Sequence, residues 1–362
     1  MCLITRNEDH PRVHCFSCGF AGDLLDLICL LDDKPTMGLE WIHDTVKPLA
    51  DKYQIPIQLE DLTEEQVYEL DTYRAYRAAS SLLVRTDIDT YPIIQQEMVK
   101  RGWNEQTLSD NDIGFIPDYV EFRDKLKELG FSAAFLDEID LSRRDIFNGN
   151  NLIFTWKDEF GRPIGFTARN LLYEQQKAEA EQSGKKCTTS KYNNQRTTGL
   201  RCNIFQKGGR LYGIDKAIKA TPPLYIFEGQ ADVISMRQAG LINCVALAGS
   251  SLSTDHVHLL KKLGINDLCI CLDSDSTGQE KQAKILEEKL AGNQEMRVRL
   301  VILPEGEDPD SFVRKQGLNS FRQLTHYSAF EWRLGRYPES EDPVTVCKQM
   351  IPFIVNESSA IE

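Results

Sequence analysis

Leu224-Tyr225-Ile226-Phe227-Glu228-Gly229-Gln230-Ala231-Asp232 and Leu268-Cys269-Ile270-Cys271-Leu272-Asp273-Ser274-Asp275-Ser276-Thr277-Gly278 are the segments on which the fold turns. Each is an apolar run of strand length that stops at acids. Between them, residues 230–239 and 255–263 carry helical spacing, and residues 244–247 read as a further buried strand closed by Gly249. Strands alternating with helices imply a parallel sheet covered on both faces. In such sheets ligands bind beyond the carboxyl ends of the strands, where Glu228, Asp273 and Asp275 fall. Crowded carboxylates raise one another's pKa unless a cation sits among them. Short acidic side chains offering only oxygen suit Mg²⁺ or Mn²⁺, which keep waters and bridge phosphates. The pattern points to a metal site for phosphoryl chemistry. A plainer reading stands beside it, because Asp275 or Ser276 in front of a helix also serves as a cap, and Glu-Gly is common at ordinary turns.

The 362 residues are enough for two or three domains, each with its own core. No basic segment followed by an apolar one opens the chain, so no secretory signal is expected. The apolar run 24–31 is too short to span a bilayer, and no membrane partner is expected. Ten cysteines without a signal suit a reducing compartment such as the cytoplasm, with thiols used for metal or packing. The formal charge of −13 argues against a surface coated for duplex DNA. Yet the charges are segregated: residues 185–219 hold nine Lys or Arg and a single acid, Asp215. A basic strip beside an acidic pocket suits a phosphate backbone lying next to bound cations.

At the start of the chain, Cys15-x-x-Cys18 supplies half of a zinc site, and Cys2 with His10 is the best completion, giving Cys₃His. A CxxC is also a redox pair or two core thiols; the flanking Phe16, Gly19 and Gly22 favour the zinc knuckle. Helices are expected over 23–32, 37–53, 63–84 and 92–101, with a linker over 56–62. Residues 147–154 and 163–169 read as strands joined by a turn at 158–161. Residues 173–184 form a polar, helix-prone insertion. Residues 298–303 make another strand, ending in the charged loop Glu305-Gly306-Glu307-Asp308-Pro309-Asp310, and from Asn319 onward the chain turns helical.

Strand-Glu-Gly-x-x-Asp followed by strand-Asp-x-Asp-x-x-Gly resembles the Toprim domain of DnaG-type primases, topoisomerases and some nucleases. Gly306-Glu-Asp-Pro-Asp-x-x-Val313 separates the primases from the rest. The order Gly165-Phe-Thr-Ala-Arg169, Lys191-Tyr-Asn-Asn194, Phe205-Gln-Lys-Gly208 and Leu211-Tyr-Gly213 also resembles the primase core, and His14–Asp23 resembles its zinc ribbon. There are departures. The family's first zinc pair, Cys-x-x-His, is missing, and Asn150-Asn151 stands where a basic residue is usual.

The resemblance covers nearly the whole chain. It implies an α/β fold: a Toprim core with a Rossmann-like parallel sheet (209–318), preceded by a zinc-ribbon domain with trailing helices (1–58) and a mixed α+β subdomain (59–208), and followed by a helical stub (319–362). It implies primer synthesis on single-stranded DNA from ribonucleoside triphosphates. Glu228, Asp273 and Asp275 would hold Mg²⁺ or Mn²⁺, with Asp232, Asp308 and Asp310 completing the acidic pocket. Arg169, Lys191 and Lys207, with Asn193 and Arg210 beside them, would guide nucleic-acid or nucleotide phosphates. Cys2, His10, Cys15 and Cys18 would hold Zn²⁺. The replicative helicase is a family partner, but most of the domain that contacts it is absent from this sequence. A Toprim nuclease, a topoisomerase and a non-catalytic single-stranded DNA-binding module remain the rivals. No separate domain offers a topoisomerase's nucleophilic tyrosine.

Overall fold

The computed structural model describes residues 2–5, 12–16, 20–32, 34–202, 204–249, 251–273, 285, 296–338 and 340–354. Its strands fall into three sheets. β1 (Cys2–Thr5), β2 (Arg12–Cys15) and β3 (Ala21–Gly22) form a small antiparallel sheet. β4 (Ile113–Gly114), β5 (Asn151–Lys157), β6 (Pro163–Asn170) and β7 (Tyr192–Asn194) form a second antiparallel sheet in that order. The third runs β12 (His326–Ser328), β11 (Arg297–Val301), β10 (Asp267–Ile270), β8 (Leu224–Phe227) and β9 (Cys244–Ala246).

Four strands of this last sheet are parallel, as the alternating pattern requires, but β12 pairs antiparallel with β11 and makes the sheet mixed. The expectation of helix alone after residue 319 is corrected here. His326-Tyr327-Ser328 is too short to show a period, and it is strand because it closes an otherwise open edge. The other sequence-level correction is the start of β5, which begins at Asn151 rather than at 147. The Asn151 side chain donates to the carbonyls of Asp145 (2.8 Å) and Ile146 (2.9 Å), which holds the preceding residues in a turn.

Period-two alternation places the two sides of the central sheet in different cores. Leu224, Ile226, Leu268 and Ile270 pack with Leu260 of the Thr254–Lys262 helix and with Trp332. Tyr225, Phe227 and Cys269 face the Gln230–Gln238 and Pro309–Arg322 helices, in an apolar core that runs unbroken into the antiparallel sheet through Tyr212, Phe154 and Trp156. Trp103 adds a polar tie, its indole N–H donating to Ser235 Oγ at 2.9 Å. The Pro92–Arg101 helix ends where expected because Gly102 adopts φ 67°, the left-handed cap that side chains resist. Strand order then locates the crevice: the chain leaves β8 for β9 on one side and returns to β10 on the other, so the switch point lies between β8 and β10.

Candidate active site

At that switch point an open cleft of about 490 Å³ is lined by acids from one side and cations from the other. Glu228 follows β8 directly, and its carbonyl accepts the Ala248 N–H at 2.8 Å. Ala248 has φ 46°, a strained conformation for a residue with a Cβ, and lines the cleft beside Gly249. Asp273 enters from the neighbouring strand β10. Asp232 sits in the first turn of the Gln230–Gln238 helix, where Oδ2 accepts the Gly229 N–H at 3.0 Å and Oδ1 the Asp310 N–H at 3.2 Å. A Cβ on Gly229 would lie 3.0 Å from that oxygen, so glycine permits the close approach. Burial, then Asp273 and Asp308, push the Asp232 carboxyl well above the usual range. Carboxyl groups are thus crowded at the centre of the acidic wall.

Asp308 is exposed and caps the Pro309–Arg322 helix, accepting the Ser311 N–H at 2.6 Å through one oxygen. Asp310 differs from its neighbours. It is buried and accepts from Ser235 Oγ (2.5 Å), Arg314 Nε (2.9 Å) and Arg101 Nη1 (2.9 Å). Its charge is already answered by two guanidiniums, so it organises the cleft rather than offering a spare ligand. Among the described residues no group of three acids, histidines or cysteines is arranged so that it could hold a metal ion. Asp275 lies outside the described residues.

The opposite wall comes from the antiparallel sheet and the Pro92–Arg101 helix. Register decides which side chains reach it: Arg169 pairs with Tyr192 and Thr167 with Asn194, whereas Ala168 pairs with Asn193 and faces away. Arg169 donates to Tyr192 Oη at 2.8 Å and pairs with Glu97 at 3.2 Å. Lys207 donates to Asn194 Oδ1 at 3.0 Å, and burial draws its ammonium below the ordinary lysine value. Lys191 lines the cleft while reaching Glu174 at 3.4 Å.

Two expected contacts lie elsewhere. Asn193 donates to the Asp145 carbonyl at 2.9 Å and lines a separate polar hollow, while Arg210 is tied to Glu159 at 2.9 Å. Sequence reading passed over Arg101, Glu97 and Asn194. Asn194 was within reach of it, being the last residue of Lys-Tyr-x-Asn; Glu97 and Arg101, four apart on an ordinary amphipathic helix, gave no signal.

At the amino end, β1 and β2 bring Cys2 and Cys15 into direct register. His10 and Cys18 lie outside the described residues, so the zinc set is not assembled among those described.

The Toprim-like family matches residues 225–313, and the DNA primase catalytic core, N-terminal domain family matches residues 92–218. The DNA primase of Escherichia coli strain K12 is 30% identical over 343 residues, an alignment that covers 88% of this chain and 53% of that protein. The chain therefore spans about half the length of this curated relative. A DNA primase domain from Pseudomonas aeruginosa superposes with a TM-score of 0.61 at 26% identity, covering 79% of this chain and 91% of that one. The zinc-binding and RNA polymerase domains of Aquifex aeolicus primase superpose at 0.63 over 95% of this chain and 84% of theirs. At 21% identity the Aquifex likeness speaks for the fold alone.

Proposed function

The chain belongs to the DnaG-type primase family, and from that premise we propose that it synthesises short RNA primers on single-stranded DNA by divalent-metal-dependent nucleotidyl transfer in DNA replication. One observation carries the reading: an oxygen-only acidic wall and a cationic wall face each other across one cleft at the sheet's switch point.

The donor chemistry fits Mg²⁺ or Mn²⁺, since the wall offers carboxylate oxygens and Asp232 is crowded by Asp273 and Asp308. Glu228 and Asp273 would hold the ions, with Asp275 the third expected ligand. Bound there, the ions supply Lewis acidity toward the reacting phosphoryl group. The chain's own groups do the rest. Asp232, anchored by two backbone N–H donors, fixes the negative field; Arg169, Lys191 and Lys207 receive phosphate oxygens of nucleotide or template; Asp310 and Glu97 keep the arginines in place. Cys2, His10, Cys15 and Cys18 would hold Zn²⁺ in a ribbon that helps read the template. Ribonucleoside triphosphates are the expected substrates, and family likeness implies a replicative helicase as a partner. The reaction assigns the chain to the cytoplasm of a bacterial or phage-infected cell. Among the described residues no helix is long and apolar enough to cross a membrane.

The test is incorporation of labelled ribonucleotides on a short single-stranded template with Mg²⁺ or Mn²⁺. Asp273→Ala should abolish incorporation while leaving the circular dichroism spectrum and melting transition in place. Undiminished incorporation would overturn the metal assignment, and degradation of the template without triphosphates would favour a nuclease.

A further inference from the structure

Glu97 is nearly buried at the back of the cationic wall, and its Oε1 meets two guanidiniums at once: Arg101 Nε at 2.5 Å and Arg169 Nε at 3.2 Å. Both arginines line the cleft. Arg101 spends Nη1 on Asp310, and Arg169 spends Nη1 on Tyr192, so each keeps Nη2 without a hydrogen bond among the described residues. Arg314 joins from Asp310. The network therefore sets two carboxylates against three guanidiniums and retains one net positive charge in a partly buried place. Two guanidiniums repel each other unless an anion lies between them, and the interior screens that repulsion poorly. One carboxylate shared between both Nε atoms fixes their spacing and turns the remaining donors into a preset fork for phosphate-type oxygens.

We infer that Glu97 is a positioning residue: it holds Arg101 and Arg169 as a paired clamp for the phosphates of the incoming nucleotide. The inference deepens the primase reading and rests on it. Glu97 touches no substrate in this arrangement; it acts through the arginines.

Charge and reach give separable tests. Glu97→Gln removes the carboxylate charge at nearly constant shape, and Glu97→Asp keeps the charge but draws it back by one methylene. The full chain and both variants are compared in three measurements: equilibrium binding of a fluorescent nucleoside triphosphate with Mn²⁺, KM and kcat for ribonucleotide incorporation, and the thermal midpoint. Positioning predicts that both variants weaken nucleotide binding and raise KM by about tenfold, the order expected for one lost charge-assisted contact, with a smaller change in kcat. If Glu97 only dilutes positive charge, Glu97→Gln binds tighter and Glu97→Asp matches wild type, which overturns the inference. A fall in thermal midpoint with unchanged nucleotide binding overturns it as well. Wild-type chain that binds no nucleotide and incorporates none refutes the primase reading itself, a failure visible before either variant is made.

Discussion

Asp310 Oδ2 accepts a hydrogen bond from Arg101 Nη1 at 2.9 Å, joining positions 209 residues apart. The contact bridges the Pro92–Arg101 helix and the first turn of the Pro309–Arg322 helix, and both side chains are about nine-tenths buried. The acid expected to complete the acidic pocket thus also anchors an arginine. Removing one partner of a buried pair leaves an uncompensated charge, at a cost on the order of 3 kcal/mol. Asp310→Ala should lower stability by about that much in urea titration, whereas Asp308→Ala, which loses an exposed helix cap, should cost about 1 kcal/mol.

Asp232 should link metal to stability. Its folded carboxyl lies above its unfolded value because of burial and then its acidic neighbours. The folded state therefore retains a proton that the unfolded state releases. The stabilisation is complete below the ordinary aspartate range and is lost as pH rises through the raised value. In metal-free buffer, Asp232→Asn should lose this slope in melts across the pH range. Mn²⁺ at a hundred times its dissociation constant should stabilise wild type by about 2.7 kcal/mol. The asparagine variant should gain much less in the same melts.

His256 predicts the opposite pH sign, remote from the acids. The Ser253 backbone N–H donates to Nδ1 at 3.0 Å, and Nε2 lies 3.0 Å from the Arg210 carbonyl, so the neutral ring protonated at Nε2 satisfies both. Burial lowers its pKa below the ordinary histidine value. Stability from this ring is present above the unfolded histidine pKa and lost as pH falls through the lowered one. Melting curves from neutral to mildly acidic pH should show that loss in wild type, and His256→Gln should flatten it.

Lys207 should contribute to binding a phosphate backbone. Its burial and its bond to Asn194 prepay the ordering of a long side chain. Lys207→Ala should weaken single-stranded DNA binding and reduce the salt slope by about 0.7, one phosphate's share for a single strand. Asn194→Ala should weaken it less without altering the slope.

Much of this site was legible because acids at strand ends combine two periodic signals, the apolar run and its abrupt stop. Glu228 and Asp273 fell where adjacent parallel strands must deliver them. The cationic wall was less legible, for physical reasons. A basic loop records charge but not direction, and only the β6–β7 register sends Asn194 inward and Asn193 outward. Arg210 carries the same charge as Lys207 yet is claimed by Glu159, a pairing between distant residues that no local pattern announces. Glu97 and Arg101 follow helix spacing and look like any solvated pair until Arg169 and Asp310 close around them. β12 was hidden because an edge strand of three residues is specified by its neighbour, not by its own period.

The long separation between Arg101 and Asp310 carries a consequence for biogenesis. During synthesis Arg101, Arg169 and Lys207 leave the ribosome well before Asp310, so for an interval the growing polypeptide displays its cations without the acid that later engages one of them. Until Asp310 follows, Arg101 has Glu97 alone to answer its charge, so the cleft takes its shape late in synthesis.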